Sequence, residues 1–488
     1  MSLPSERYLP SRRTFLGGSA ATLALAALSG RRAYAAPSER LNLGVIGAGW
    51  RGGQLSEKFS GLPGVNLLAV CDADSARMAE LGDKHKIERR HTDMQQVFDD
   101  PDIDAVVIAT CNHWHCLAAI RACQAGKHVY VEKPLGHDLW QQRQLINAAR
   151  SNDRVVQIGT QQRSDPMQAE LKRFLHEQQG VGKLTGVVAS RVGERKPIGR
   201  RTTPLVPPAT VDYDRWLGPA QDRPIYRDEL HYDWHWDWNT GDGELGNWGV
   251  HILDDVRNVA LRDQAAFPTA TASFGGRVLW DDAGNTPNFQ ATLFESDVLP
   301  VVCLVSNLKP LKGAPPLAEK GNDSGYVVYG EGGWLEGHRG GAVAYDAAGK
   351  KIRAFKGNGG EPNHYANFVE AVRSNDRSLL NAEVETGHNS TAWCLLANAA
   401  CRAAAPLDGA QSVTQVSQEP LWQEVVARLQ DNLKRNNVAL DGDNFSLSEM
   451  LAIDPDSERF RGPAAAGANQ LLGRQQYRSG FEIPEVEA

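Results

Sequence analysis

Leu41-Asn-Leu-Gly-Val-Ile46, running straight into Gly47-Ala-Gly49-Trp50-Arg51-Gly52, is the stretch that decides the fold. A short apolar run of this length reads as a buried strand. The glycines that follow read as a tight turn opening a helix. Such a glycine pattern arises by chance, and its setting is what gives it weight. Asp72 ends the next apolar run, at the distance past the glycines where a ribose-binding carboxylate belongs. Gly47 permits the turn, Gly49 lets a pyrophosphate approach the backbone, and Gly52 lets the helix pack on the strand. The helix amides, with Trp50 and Arg51 in the first turn, then face the phosphates. Asp72 repels a 2′-phosphate and favours NAD, while Arg77 close by leaves NADP open.

Working outward, short β-branched runs at 41–46, 65–71, 105–110, 128–131 and 155–158 alternate with helical stretches such as 114–125 and 139–151. That alternation predicts a doubly wound parallel sheet. Asp99-Asp100-Pro101-Asp102 reads as the turn before the third of these runs. Beyond Gln161 the texture changes. Strand-like runs at 185–191, 269–278, 288–294, 301–308 and 326–329 alternate loosely, with no regular helices between them. They predict an α/β domain on a large, mostly antiparallel sheet, open on one face. Residues 198–208 read as a surface loop, and helices are expected at 364–374 and 391–404. The expected organisation is a leader over 1–36, a Rossmann domain over 37–160, a substrate and oligomerisation domain over 161–405, and a wrapping extension over 406–488.

A net charge of −7 over 488 residues, with no basic stripe, argues against nucleic-acid binding. Ser11-Arg12-Arg13-Thr14-Phe15-Leu16, an Ala/Leu/Gly stretch to Gly30 and Ala33-Tyr34-Ala35 occur in the order of a twin-arginine export signal and its cleavage site. The expected location is periplasmic or otherwise exported, with the twin-arginine machinery as a partner and no membrane anchor after cleavage. Seven scattered cysteines form no disulfide framework and read as small core residues.

Glu132-Lys133-Pro134 follows the run His128-Val-Tyr-Val131, which puts an ammonium at the carboxyl end of a buried strand, where ligands of such sheets bind. Thr110-Cys111-Asn112-His113-Trp114-His115 follows another strand at the same edge. Cys111, His113, His115 and Cys116 are crowded too closely for the usual zinc spacing, so this segment reads as a loop lining the nicotinamide, with no metal. In Gly243-Glu-Leu-Gly-Asn247-Trp-Gly-Val-His251, Asn247 and His251 share a helix face. Oxidising an alcohol requires a base for the hydroxyl proton, and histidine suits that work. Lys133 could polarise the oxygen. The stretch His231-Tyr-Asp-Trp-His-Trp236-Asp-Trp238 carries three tryptophans whose faces suit the C–H patches of a sugar ring, with interleaved Asp and His for its hydroxyls and a core aromatic cluster as the other account. Gln161 and Arg163 are expected in the same pocket.

Taken together, Gly47–Gly52, Thr110–His115, Glu132-Lys133-Pro134, Gly159-Thr-Gln161-Gln162-Arg163-Ser164 and the Asn247 to His251 block resemble the glucose–fructose oxidoreductase / inositol dehydrogenase / MocA family. The resemblance implies a Rossmann domain followed by an α/β domain whose open sheet often mediates oligomers, and NAD(P)-dependent chemistry on sugars or cyclitols. It also implies that Lys133 and His251 are the catalytic pair. The sequence departs from the family at Asn247, where the family has aspartate. Either His251 acts with Lys133 alone, or another carboxylate such as Asp254 or Asp255 assists. An exported enzyme of this kind is expected to hold its cofactor tightly in a redox-neutral cycle. The alternatives are an ordinary dehydrogenase with exchangeable cofactor, an NAD-dependent glycosidase working by transient oxidation and elimination, and a non-catalytic NAD- or carbohydrate-binding protein.

Overall fold

A computed structural model describes residues 40–309, 311–409 and 411–487. The leader segment read at 1–36 lies outside the described residues. Six strands, β1 (Leu41–Ile46), β2 (Val65–Cys71), β3 (Arg89–His91), β4 (Ala105–Ile108), β5 (His128–Val131) and β6 (Val156–Ile158), form a parallel sheet in the order β3-β2-β1-β4-β5-β6. This is the doubly wound arrangement, with its reversal of strand order beside β1. β3 escapes the sequence reading because Arg89-Arg90-His91 is a polar, half-buried edge strand of three residues. The helix Glu361–Ser374, far along the chain, packs its Tyr365 and Phe368 into the same core as Leu41, Phe59 and Tyr130.

Twelve further strands make the second sheet. Its centre is β7 (Leu184–Val192), β8 (Ala270–Gly276), β9 (Phe289–Glu295), β10 (Val301–Ser306) and β11 (Ser324–Gly330). The three hairpin strands β12 (Gly333–His338), β13 (Gly341–Asp346) and β14 (Lys351–Lys356) extend it outward. Pairing is antiparallel except between β7 and β10, so the sheet is mixed. Its inner face, through Val187, Ala189, Val301, Cys303 and Val305, packs on the helices Val250–Val259 and Val384–Arg402.

The other face is covered over the central strands. Val188, Val302, Leu304 and Leu293 are covered by Trp422, Val425, Val426, Leu429 and Leu433 of the helix Pro420–Arg435. Burial on both sides removes the polar alternation a half-exposed strand would show, and every residue of β10 is buried. This corrects the expectation of an open face at the centre of the sheet, while β12–β14 keep theirs part-exposed. The C-terminal segment then returns to the first domain, where Ile483 is buried among Cys116, Ile120 and Leu117.

All seven cysteines are free, and all but Cys111 are fully buried. Among the described residues, no helix is long and apolar enough to cross a membrane.

Candidate functional site

The glycine turn sits at the carboxyl end of β1. Gly47 has φ +93°, a region L side chains rarely adopt, and a Cβ on Gly52 would lie 1.8 Å from the Gly47 carbonyl oxygen. Both positions therefore exclude side chains. The helix Trp50–Ser60 begins at Gly49 with no side-chain cap, which leaves its first amides available to an anion. Asp72 accepts backbone N–H groups of Ala48 at 2.6 Å and Asp74 at 2.8 Å. A carboxylate has further lone pairs for ribose hydroxyls. Burial raises its pKa, against those bonds and the Arg77 charge. Arg77 reaches the face of Gly49 while pairing with Asp74 at 3.8 Å. These features fit a dinucleotide.

Arg51 does not point free toward the phosphates. Its Nε donates to Glu132 at 2.7 Å and its Nη1 to Gln54 at 3.1 Å. Burial opposes ionisation of Glu132, but the Arg51 and Lys133 charges hold it below the usual carboxylate range. At the end of β4, His115 is fixed between the carbonyls of Pro134 at 2.7 Å and Thr110 at 3.1 Å. His113 lies between the carbonyls of Thr240 and Trp216, and burial lowers its pKa to about 4. Both rings are committed to backbone. Among the described residues no cluster of His, Cys, Asp and Glu has a metal-holding arrangement. Asn112 donates to Asp242 at 2.7 Å, and Asp242 in turn holds His137 at 2.9 Å.

At the end of β5, Lys133 Nζ donates to the Asn247 carbonyl at 2.7 Å and approaches its side-chain oxygen at 3.4 Å. Burial lowers the Lys133 pKa to about 8, against the pull of Glu132. Asn247 lies in a π-helical turn, Leu245–Gly249, that runs into the helix bearing His251. Its amide donates to Glu244 at 3.2 Å. Burial, and after it the Lys133 charge, presses His251 well below its ordinary pKa, so the imidazole is neutral. The carboxylate that reaches Asn247 is thus Glu244. Asp254 is taken by Arg163 at 2.7 Å and by Ser390, and Asp255 by Gln162 and Gln168. Burial raises the Asp255 pKa well above the usual carboxylate range.

One cavity of about 790 Å³ joins these parts. Gly47, Gly49, Trp50, Arg51, Asp72, Thr110, Asn112, His115, Glu132 and Lys133 line it, as do Gln161, Asn247 and His251. Gly52 instead packs beneath the turn. Three expected substrate residues lie off the cavity. Arg163 is locked between Asp254 and Asp263 with 4% of its side chain exposed. Trp236 is buried, and Trp238 packs under Arg402. Their place on the wall is taken by Tyr232, Trp234 and His235 of the same aromatic stretch, and by Trp248, Arg191, Arg195 and Arg339, which the sequence does not mark as ligand contacts.

Two segments match family models: residues 41–160 match the NAD-binding Rossmann fold of the GFO/IDH/MocA oxidoreductase family, and residues 198–272 match its C-terminal alpha/beta domain. The levoglucosan dehydrogenase of Pseudarthrobacter phenanthrenivorans is 31% identical over 28% of this chain and 38% of its own length. An inositol 2-dehydrogenase of Salmonella typhimurium is 32% identical over 28% of this chain and 41% of its own. The chain thus spans about two fifths of these relatives. Among solved structures, levoglucosan dehydrogenase in complex with NADH and levoglucosan superposes with TM-score 0.55 at 18% identity, covering 74% of this chain and 96% of that one. An oxidoreductase from Agrobacterium radiobacter in complex with NAD+, L-tartaric acid and magnesium gives TM-score 0.54 at 15% identity, covering 74% and 96%. Over these two segments the chain is similar to the NAD-binding Rossmann domain and the C-terminal alpha/beta domain of the Gfo/Idh/MocA oxidoreductase family.

Proposed function

We propose that this chain is an exported NAD-dependent oxidoreductase acting on a hydroxyl of a sugar, glycoside or cyclitol, with the cofactor retained between turnovers. The observation that carries the reading is that Lys133 and His251 line the same cavity as the glycine turn and Asp72. NAD, when bound, accepts a hydride. The chain's own residues manage the proton and the charge. Lys133, anchored through Asn247, keeps N–H groups for the substrate oxygen and stabilises it as the O–H bond breaks. Neutral His251 accepts the proton. Asn247 orients the lysine through its backbone carbonyl, a role that asparagine fills as well as aspartate. The carboxylate function falls to Glu244 behind it.

Retention of the cofactor is supported by the segment between β7 and the His251 helix, which crosses back to the Rossmann domain beside Asp72. Ser75 donates its backbone N–H to the Thr210 carbonyl at 2.9 Å, His231 meets Asp74 at 3.0 Å, and Arg215 meets Asp93 at 3.1 Å. Arg478 of the C-terminal segment ties the crossing at Asp214 and Gly218. With a twin-arginine leader and no free nicotinamide pool outside the cytoplasm, a trapped cofactor must be regenerated in place. One sugar is oxidised and a second compound reduced, or a hydroxyl is oxidised, an adjacent glycosidic bond eliminated and the ring reduced again. Absorbance and fluorescence of the purified protein test this. Bound nicotinamide should survive dilution and change redox state with a sugar or cyclitol. Loss on dilution overturns retention, and a cofactor indifferent to every polyol overturns the chemistry.

The pH dependence follows from the two shifts. His251 stays neutral on both sides of neutrality, whereas Lys133 loses its charge as pH rises through about 8. Cofactor reduction in single turnovers is therefore expected to be level below that pH and to fall above it. A rate that climbs through the same pH would make Lys133 the base instead.

A further inference from the structure

We infer that the substrate carries an anionic group on its polyhydroxylated frame, seated on Arg191 and Arg195. This rests on the dehydrogenase reading and narrows it. Arg191 is the penultimate residue of the central strand β7 and Arg195 lies in the loop after it, so both stand on the second domain. Contacts link them to the reacting centre. Lys133 holds Asn247, Asn247 donates to Glu244, and one oxygen of Glu244 accepts both Arg191 Nε at 2.9 Å and Arg195 Nη2 at 3.1 Å.

Glu244 has no side-chain exposure, whereas Arg191 and Arg195 keep 15% and 19%. The carboxylate thus braces the two guanidiniums from behind while they line the cavity. Trp248 lies under Arg191 at 4.6 Å and Trp236 under Arg195 at 5.5 Å, which fixes both planes. Arg195 Nε is buried with no protein partner.

The charge at this end does not cancel. Lys133, Arg191, Arg195 and Arg339 line it, and the carboxylates paired with these arginines are Glu244 and Glu361. Glu132 is spoken for by Arg51. The cofactor phosphates belong at the Gly47 turn, so they do not account for the excess. Braced, stacked guanidiniums facing a cavity suit a carboxylate or phosphate, which they can hold with the N–H groups not spent on Glu244, Ser324 and Tyr232.

The test uses the holoprotein and measures binding by intrinsic tryptophan fluorescence beside the absorbance of reduced nicotinamide. The ligands are charged and neutral pairs: D-glucuronate with D-glucose, D-galacturonate with D-galactose, and glucose 6-phosphate as the phosphate arm. At least one anion should bind about tenfold or more tighter than its neutral partner. Arg195→Gln should reduce that preference about tenfold and leave the neutral sugar unmoved, with Arg195→Lys intermediate. Retained nicotinamide shows that the variants fold. Should a variant lose its nicotinamide, the paired affinities of the unaltered protein decide alone. Equal binding of charged and neutral partners overturns the inference, as does a variant that weakens both alike. An anion that binds through Arg195 without ever reducing the cofactor leaves this site standing and sinks the dehydrogenase reading.

Discussion

Replacing Lys133 by Met is expected to lower single-turnover reduction of the bound cofactor by about a thousandfold, within the range for losing one preorganised group that stabilises developing oxyanion charge. The methionine chain is close to lysine in length and apolar, and it removes a buried charge that burial already disfavours. Cofactor content should be unchanged. The Lys133 ammonium bonds only Asn247 among the described residues, while the glycine turn, Asp72 and the Arg51–Glu132 pair form their contacts without it. Stoichiometry of bound nicotinamide and the rate of its reduction are read on the same sample. Unchanged rates would remove Lys133 from the chemistry; loss of cofactor would make it a binding residue.

The Lys133 side of the site was legible because two independent signals converge. A four-residue apolar run ending abruptly in Glu132-Lys133 fixes a strand end, and the glycine turn fixes which end of the sheet binds. The second domain's share was less legible, for stated physical reasons. Trp234, Trp236 and Trp238 alternate in sequence, but the 3₁₀ turn Asp233–Trp236, entered through Tyr232 at φ +65°, decides which indole meets the cavity. Nothing in the spacing shows that Trp234 wins. Arg191 and Arg195 read as a strand end and the loop after it, and only the fold brings that end over Lys133. Asp254 and Asp255 follow His251 within one helical turn, yet Arg163, Gln162 and Gln168 claim them from another element. Glu244, which precedes Asn247 on the inside of the turn, is the carboxylate that reaches it.

The helix Pro420–Arg435 was legible and passed over. Trp422, Val425, Val426, Leu429 and Leu433 recur at helical spacing, with Glu419 capping and Pro420 in the first turn, but Pro, Gly and Gln in the surrounding segment suggested a loose wrap. The run Val301-Val-Cys-Leu-Val305 holds the matching clue, since a strand apolar on both faces needs a cover on each. Trp422→Ala tests that cover. Its side chain is fully buried, and its Nε1 donates to the Val413 carbonyl at 2.9 Å. The expected cost is about 3–5 kcal/mol, from lost burial and the cavity left behind. It should appear as a lowered urea midpoint, with concentration-dependent association as Val302 and Leu304 meet solvent. Val206→Ala, at a side chain 83% exposed, should stay within about 0.5 kcal/mol. A Trp422 variant as stable as that control would mean that the helix rests on the sheet without holding it, and the apolar face would again need another cover, such as a second copy of the chain.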